Sequence, residues 1–145
     1  MTSILYDISA RDAETVLRDP EIYSCISEDG MDEWTMPENC IYLCGYLDEV
    51  IGCFILDKRS TYCADVHVQV LPQYRKQYSQ QFGRGVLEWT WNNTELRKLV
   101  AEIPTLYQNV LTFAISMGFK VEGVNRQSFL KGGDLHDQWY VGLIK

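Results

Sequence analysis

Apolar positions along the chain switch between strict alternation and a three-to-four-residue spacing, and each switch marks an element. Residues 3–8, Ser-Ile-Leu-Tyr-Asp-Ile, read as a first strand. Residues 10–28 follow as one or two helices, interrupted at Pro20. Asp19-Pro20-Glu21 suits a new helix start, because proline is tolerated in a first turn and an acid favours the positive end of the dipole. Residues 29–39 hold Gly30, Pro37 and several acids and are expected to form a loop, with Trp34 and Met36 as wall residues. Residues 40–57 predict a hairpin: Cys40–Leu47 runs out, Asp48-Glu49 reverses the chain, and Val50–Leu56 returns.

Residues 57–61 form a polar turn, and Tyr62–Val70 give another strand in which Val66, Val68 and Val70 share one face. The opposite face carries Asp65, His67 and Gln69, a polar row unusual for a central strand. Leu71-Pro72 ends this strand. Phe82, Val86, Leu87, Trp89 and Trp91 predict a helix over 80–93 with a buried side. A strand over 96–103 is stopped by Pro104, and a helix over 106–117 ends before Gly118. Residues 119–129 and 136–144 pair as a last hairpin around the turn Lys131-Gly132-Gly133-Asp134. The order β, α, α, β, β, β, α, β, α, β, β implies an α/β mixed sheet with helices on both faces.

With 145 residues the chain is long enough for one domain with a sizeable core and too short for two. Nine Tyr, five Phe and four Trp argue against disorder, because buried apolar area is what offsets the cost of ordering. The formal net charge of −7 repels nucleic-acid phosphates, and the longest basic groupings are only Lys58-Arg59 and Arg75-Lys76. DNA and RNA are therefore not expected partners, whereas an amine-bearing molecule would be drawn to such a surface. Five cysteines, most of them in apolar segments, with no C-x-x-C and only His67 and His136 as histidines, read as reduced core thiols rather than as a metal site. The N-terminus lacks a charged start and a long apolar run, so no membrane association is expected and the cytoplasm is the expected compartment.

The stretch Asn109-Val-Leu-Thr-Phe-Ala-Ile-Ser-Met-Gly118-Phe119-Lys-Val-Glu122-Gly123 resembles the last α–β unit of the GNAT acetyltransferases, an Asn opening a helix that ends in Gly-Phe-x-x-Glu-Gly. Gly133, Asp137 and Trp139-Tyr140-Val141 resemble the closing hairpin, and Val70-Leu71-Pro72-Gln73-Tyr74-Arg75 the end of the central strand. The match in order and spacing runs from about residue 40 to the C-terminus. The resemblance implies a single-domain GNAT-type acyl-CoA acyltransferase fold and transfer of acetyl from acetyl-CoA to an amine, borne by a small molecule or a protein, with no metal. It implies that the coenzyme arm lies between two splayed parallel strands against the backbone of Val68 and Val70. Asn109 and Phe113 lie further along that arm, although Phe113 reads first as a core residue, and Asn109 equally as a helix cap. The pyrophosphate would sit on the loop formed by Arg75, Lys76, Gln77, Tyr78, Ser79 and Gln80.

Arg75 fits the family's loop motif, but Tyr78 and Gln80 stand where it has small residues, and Tyr78 would crowd the pyrophosphate or force another loop path. Ser79 is a candidate helix cap there. The Tyr that many members use as an acid is Ala114 here, and Tyr107 is a poor substitute. His67, with Asp65 two residues before it, is the candidate base, a neutral imidazole being suited to proton removal near pH 7; a strand histidine hydrogen-bonded to a neighbour is the plain alternative. Glu33 and Trp34 lie where the family places acceptor walls. Some stretches also look like small GNAT-like proteins of tailed phages, some of them labelled head-assembly proteins, which offers a second reading as an inactive assembly or binding module. A third is a coenzyme sensor without turnover. Pairing of the final hairpin between subunits is common in similar proteins, so a homodimer is an open expectation.

Overall fold

The computed structural model describes residues 3–31 and 35–145. Strands are β1 (Leu5–Ile8), β2 (Ile41–Tyr46), β3 (Val50–Lys58), β4 (Cys63–Val70), β5 (Lys98–Pro104), β6 (Lys120–Lys131) and β7 (Asp134–Ile144). Helices are α1 (Ala10–Leu17), α2 (Pro20–Ile26), α3 (Pro72–Asn93) and α4 (Gln108–Ser116). The strands form one sheet in the order β1-β2-β3-β4-β5-β7-β6. Only β4 and β5 run parallel; every other neighbouring pair is antiparallel.

Alternation along β2 and β3 divides the core between the two faces. Tyr42, Cys44, Cys53 and Ile55 pack with Ala13, Val16, Leu17 and Ile22 of α1 and α2. Leu43, Phe54 and Leu56 point the other way and pack with Phe82 and Val86 of α3 and Leu111 of α4. Ser9 caps α1 by accepting from the Asp12 amide, and Asp19 caps α2 by accepting from the amides of Glu21 and Ile22. Phe82 is fully buried. Its ring lies over Gly45 and Gly52, opposite each other in the β2–β3 ladder, and a Cβ at Gly45 would come within 2.5 Å of it. Gly85 does the same service for β1. The Tyr6 hydroxyl donates to the Gln81 and Phe82 carbonyls at 3.3 and 3.4 Å, and a Cβ at Gly85 would stand 1.9 Å from that oxygen.

The Gly-Phe-x-x-Glu-Gly unit is structural throughout. Gly118 takes φ +103° just past the α4 C-cap, a left-handed conformation that favours glycine. Phe119 is buried, Glu122 pairs with Lys98 at 2.8 Å, and Gly123 borders an irregularity in the β6–β7 ladder.

One boundary differs from expectation in a way that matters. The helix expected over 80–93 begins at Pro72, so residues 75–80 are helical rather than a loop. Proline suits the first turn, no glycine occurs between Pro72 and Phe82, and Gln, Arg and Lys are good helix formers. Ser79 therefore sits within α3 and caps nothing.

Candidate active site

The β4–β5 contact is short. Cys63, Ala64 and Asp65 stand opposite Lys98, Leu99 and Val100, after which the strands part, while β5 stays paired with β7 to Pro104. The Leu71 amide donates to the Ile51 carbonyl at 2.8 Å, which sets the phase of the β3–β4 ladder. Asp65, His67 and Gln69 therefore exchange backbone bonds with β3, and Val66, Val68 and Val70 turn theirs away from it. The Val70 carbonyl accepts from Arg75 Nε at 2.9 Å. The N–H and C=O of Val68 and the N–H of Val70 face the gap between the strands.

A cavity of about 500 Å³ fills this gap. Both faces of β4 line it, Val66, Val68 and Val70 from one side and His67 and Gln69 from the other. A strand shows both faces to one space only where it lacks a neighbour, so the cavity passes through the sheet. On the α3–α4 side its walls include Arg75, Ser79, Gly83, Phe113 and Ala114. On the α2 side they include Cys25, Ile26, Phe129 and Gln138. A second recess of about 170 Å³, beside the first, shares Ile26, His67 and Gln69 with it.

His67 is solvent-accessible yet set inside the cleft. Its side chain makes no hydrogen bond among the described residues, so the alternative of a strand histidine satisfied by a neighbour does not apply. Its pKa is lowered, chiefly by desolvation; Arg59 adds to this, while Asp57 and Glu102 oppose it. Asp65 is not its partner: that carboxylate accepts from Arg59. Asn109 lines the cavity as the second residue of α4, whose N-cap is Tyr107, and it makes no hydrogen bond among the described residues, so it is not the cap. Phe113 lines the cavity too, close to Gly83, where a Cβ would stand 2.9 Å from its ring.

Lys76, Gln77, Tyr78 and Gln80 stay outside the cavity walls. Lys76 and Gln77 are exposed on α3, and Gln80 donates to Ser116 Oγ at 3.1 Å. Tyr78 is half-buried, its ring edge-on to Tyr74 with centroids 6.3 Å apart. It does not plug the gap between the strands. Glu33 and Trp34 lie outside the described residues.

Sequence reasoning left out Cys25, Glu102, Phe129 and Gln138 and ranked Tyr107 low; all five line the cavity. The Tyr107 pKa is raised, first by burial and then by Cys25, which keeps its hydroxyl protonated. Glu102 accepts from Asn125 Nδ2 at 3.1 Å. The one sequence signal for Glu102 was a lone acid inside an otherwise apolar strand.

A seven-stranded mixed sheet flanked by four helices and parted between its two parallel strands is the fold of the GNAT acetyltransferases. A mutant form of the spermidine/spermine N-acetyltransferase SpeG from Vibrio cholerae superposes with a TM-score of 0.78 over 98% of this chain and 95% of its own, at 13% identity. An acetyltransferase of the GNAT family from Streptococcus pneumoniae gives a TM-score of 0.72 over 99% of this chain and 100% of its own, at 18% identity. One from Bacillus anthracis gives 0.62 over 71% and 65%, at 15% identity. No family model and no curated protein sequence matches the chain. Among the described residues no helix is long and apolar enough to cross a membrane.

Proposed function

We propose that this chain transfers an acetyl group from acetyl-CoA to an amine. The observation that carries the reading is the parted β4–β5 pair, with Val68 offering free backbone groups to a cavity that opens on both faces of the sheet. A pantetheine arm carries amide groups, and a strand edge pairs with amides as it would with another strand. Val68 and Val70 would hold that arm, with Asn109 and Phe113 beside it. The pyrophosphate side fits less simply: the first turn of α3 replaces a glycine loop, and among the described residues Arg75 is the one cation in the cavity wall.

Acetyl-CoA supplies the activated acyl group as a thioester. His67 accepts the proton of the incoming amine at its unprotonated ring nitrogen, and its lowered pKa keeps that nitrogen free at neutral pH. Tyr107 keeps its proton and offers a hydroxyl donor from the cavity wall, where Ala114 offers none. The acceptor enters from the α2 side, where His67 and Gln69 lie.

Calorimetric titration with acetyl-CoA tests this reading. Micromolar binding with thiol release on adding an amine supports it, and binding without turnover identifies a sensor. No binding at millimolar coenzyme refutes both. It leaves the second reading, an assembly or binding module such as a phage structural protein, which the unbroken helix from Pro72 and the missing acid at Ala114 favour.

A further inference from the structure

Resting on the transferase reading, we infer that the acceptor carries a second cationic group, held by Asp57 in the recess beside His67. The recess is lined by Leu17, Ile26, Pro37, Cys40, Ile55, Asp57, His67 and Gln69, so its described walls are mostly apolar and Asp57 is the one carboxylate among the described residues that line it. Ile55 and Asp57 share the face of β3 that looks toward α1 and α2, and Ile55 is paired with His67. Asp57 is thus the diagonal neighbour of His67, at about 7–8 Å between backbones, a span that four or five methylenes bridge.

Asp57 stands directly opposite Asp65, a like-charged pairing that weakens a ladder. Arg59 takes Asp65, and Asp57 has no hydrogen bond or ion pair among the described residues. The Cys40 thiol and the Tyr42 hydroxyl beside it stay neutral. Burial, followed by Asp57 itself, raises the Cys40 pKa, and burial pushes that of Tyr42 up to about 12. Tyr42 also donates its hydroxyl proton to the Pro37 carbonyl, which fixes the rim of the recess. Among the described residues the recess therefore offers one unpaired carboxylate at the end of an apolar slot, with the candidate base at its mouth. An aliphatic diamine of four or five carbons matches that pattern: one amine at His67, the methylenes along Leu17 and Ile55, the distal ammonium on Asp57.

The test compares putrescine, a four-carbon diamine, with butylamine, the same chain bearing one amine. In acetyl transfer, wild type is expected to favour putrescine in kcat/KM by about tenfold or more, the scale of one charge-assisted bond in a partly dry site. Asp57→Asn is expected to bring the ratio near one. Equal handling of the two amines by wild type overturns the inference, and so does a preference that survives Asp57→Asn. The wild-type comparison does not depend on how the variant folds. Should the protein fail to bind acetyl-CoA, direct calorimetry of putrescine against butylamine reads the recess alone. Putrescine binding that Asp57→Asn abolishes upholds it, and no binding to wild type overturns it.

Discussion

Glycine at 78 and 80, the positions where the resembled loop motif has small residues, tests whether the early start of α3 governs how this chain meets a pyrophosphate. Both positions lie inside Pro72–Asn93. Each glycine in a helix interior costs about 1 kcal/mol relative to alanine. Losing the edge-on contact of Tyr78 with Tyr74 costs about 1 kcal/mol more. The exposed hydrogen bond from Gln80 to Ser116 adds little. The double variant should lose about 3 kcal/mol, roughly 10 °C in Tm for a domain of this size, and remain folded. A thermal melt measures that. Calorimetry with acetyl-CoA and with acetyl-pantetheine measures the rest: affinity for the first should rise as the loosened backbone turns its amides toward the pyrophosphate. Affinity for the second should hold, because the arm uses β4. An unchanged Tm would refute the helical assignment of 72–80. Parallel changes for both ligands would refute the division of labour between α3 and β4.

Gly85→Ala should cost about 1–3 kcal/mol in urea denaturation by displacing the Tyr6 hydroxyl, and most of that cost should vanish in a Tyr6→Ala background. His67→Gln should lower kcat/KM by about a hundredfold or more. The wild-type rate should fall on the acid side, with a midpoint below the ordinary histidine value of 6.5 because desolvation lowers this pKa, and the variant's pH profile should lose that limb. Asn109→Ala should leave Tm within about 1 °C, since the side chain caps nothing, yet weaken acetyl-CoA binding in the same calorimetric titration.

The alternation of Val66, Val68 and Val70 against Asp65, His67 and Gln69 was legible because a central strand with one polar face breaks the usual pattern. Gly118-Phe119 was legible because a helix stop followed by a buried strand residue leaves a local signature. The first two turns of α3 were obscured by Pro72 and a run of polar residues. Tyr74, Tyr78 and Phe82, spaced by four, carried the helical signal. The far wall of the cavity was illegible for a different reason. Cys25 of α2 lies more than a hundred positions from Phe129 and Gln138 of the last hairpin, and the insertion of β7 between β5 and β6 brings that hairpin to the cavity. Asp29 fastens that arrangement by accepting from the amides of Gly132 and Gly133, a contact no local pattern announces.

Because β4 and β5 are stitched at one end only, no ladder joins the two halves of the sheet beyond the pairs from Cys63 to Asp65. A guest that bonds to Val68 ties the upper half of the sheet to the lower. Occupancy should then tighten the whole molecule, protecting central amides that otherwise exchange with solvent. At a hundredfold excess over its dissociation constant such a guest adds about 2.7 kcal/mol of stability by mass action.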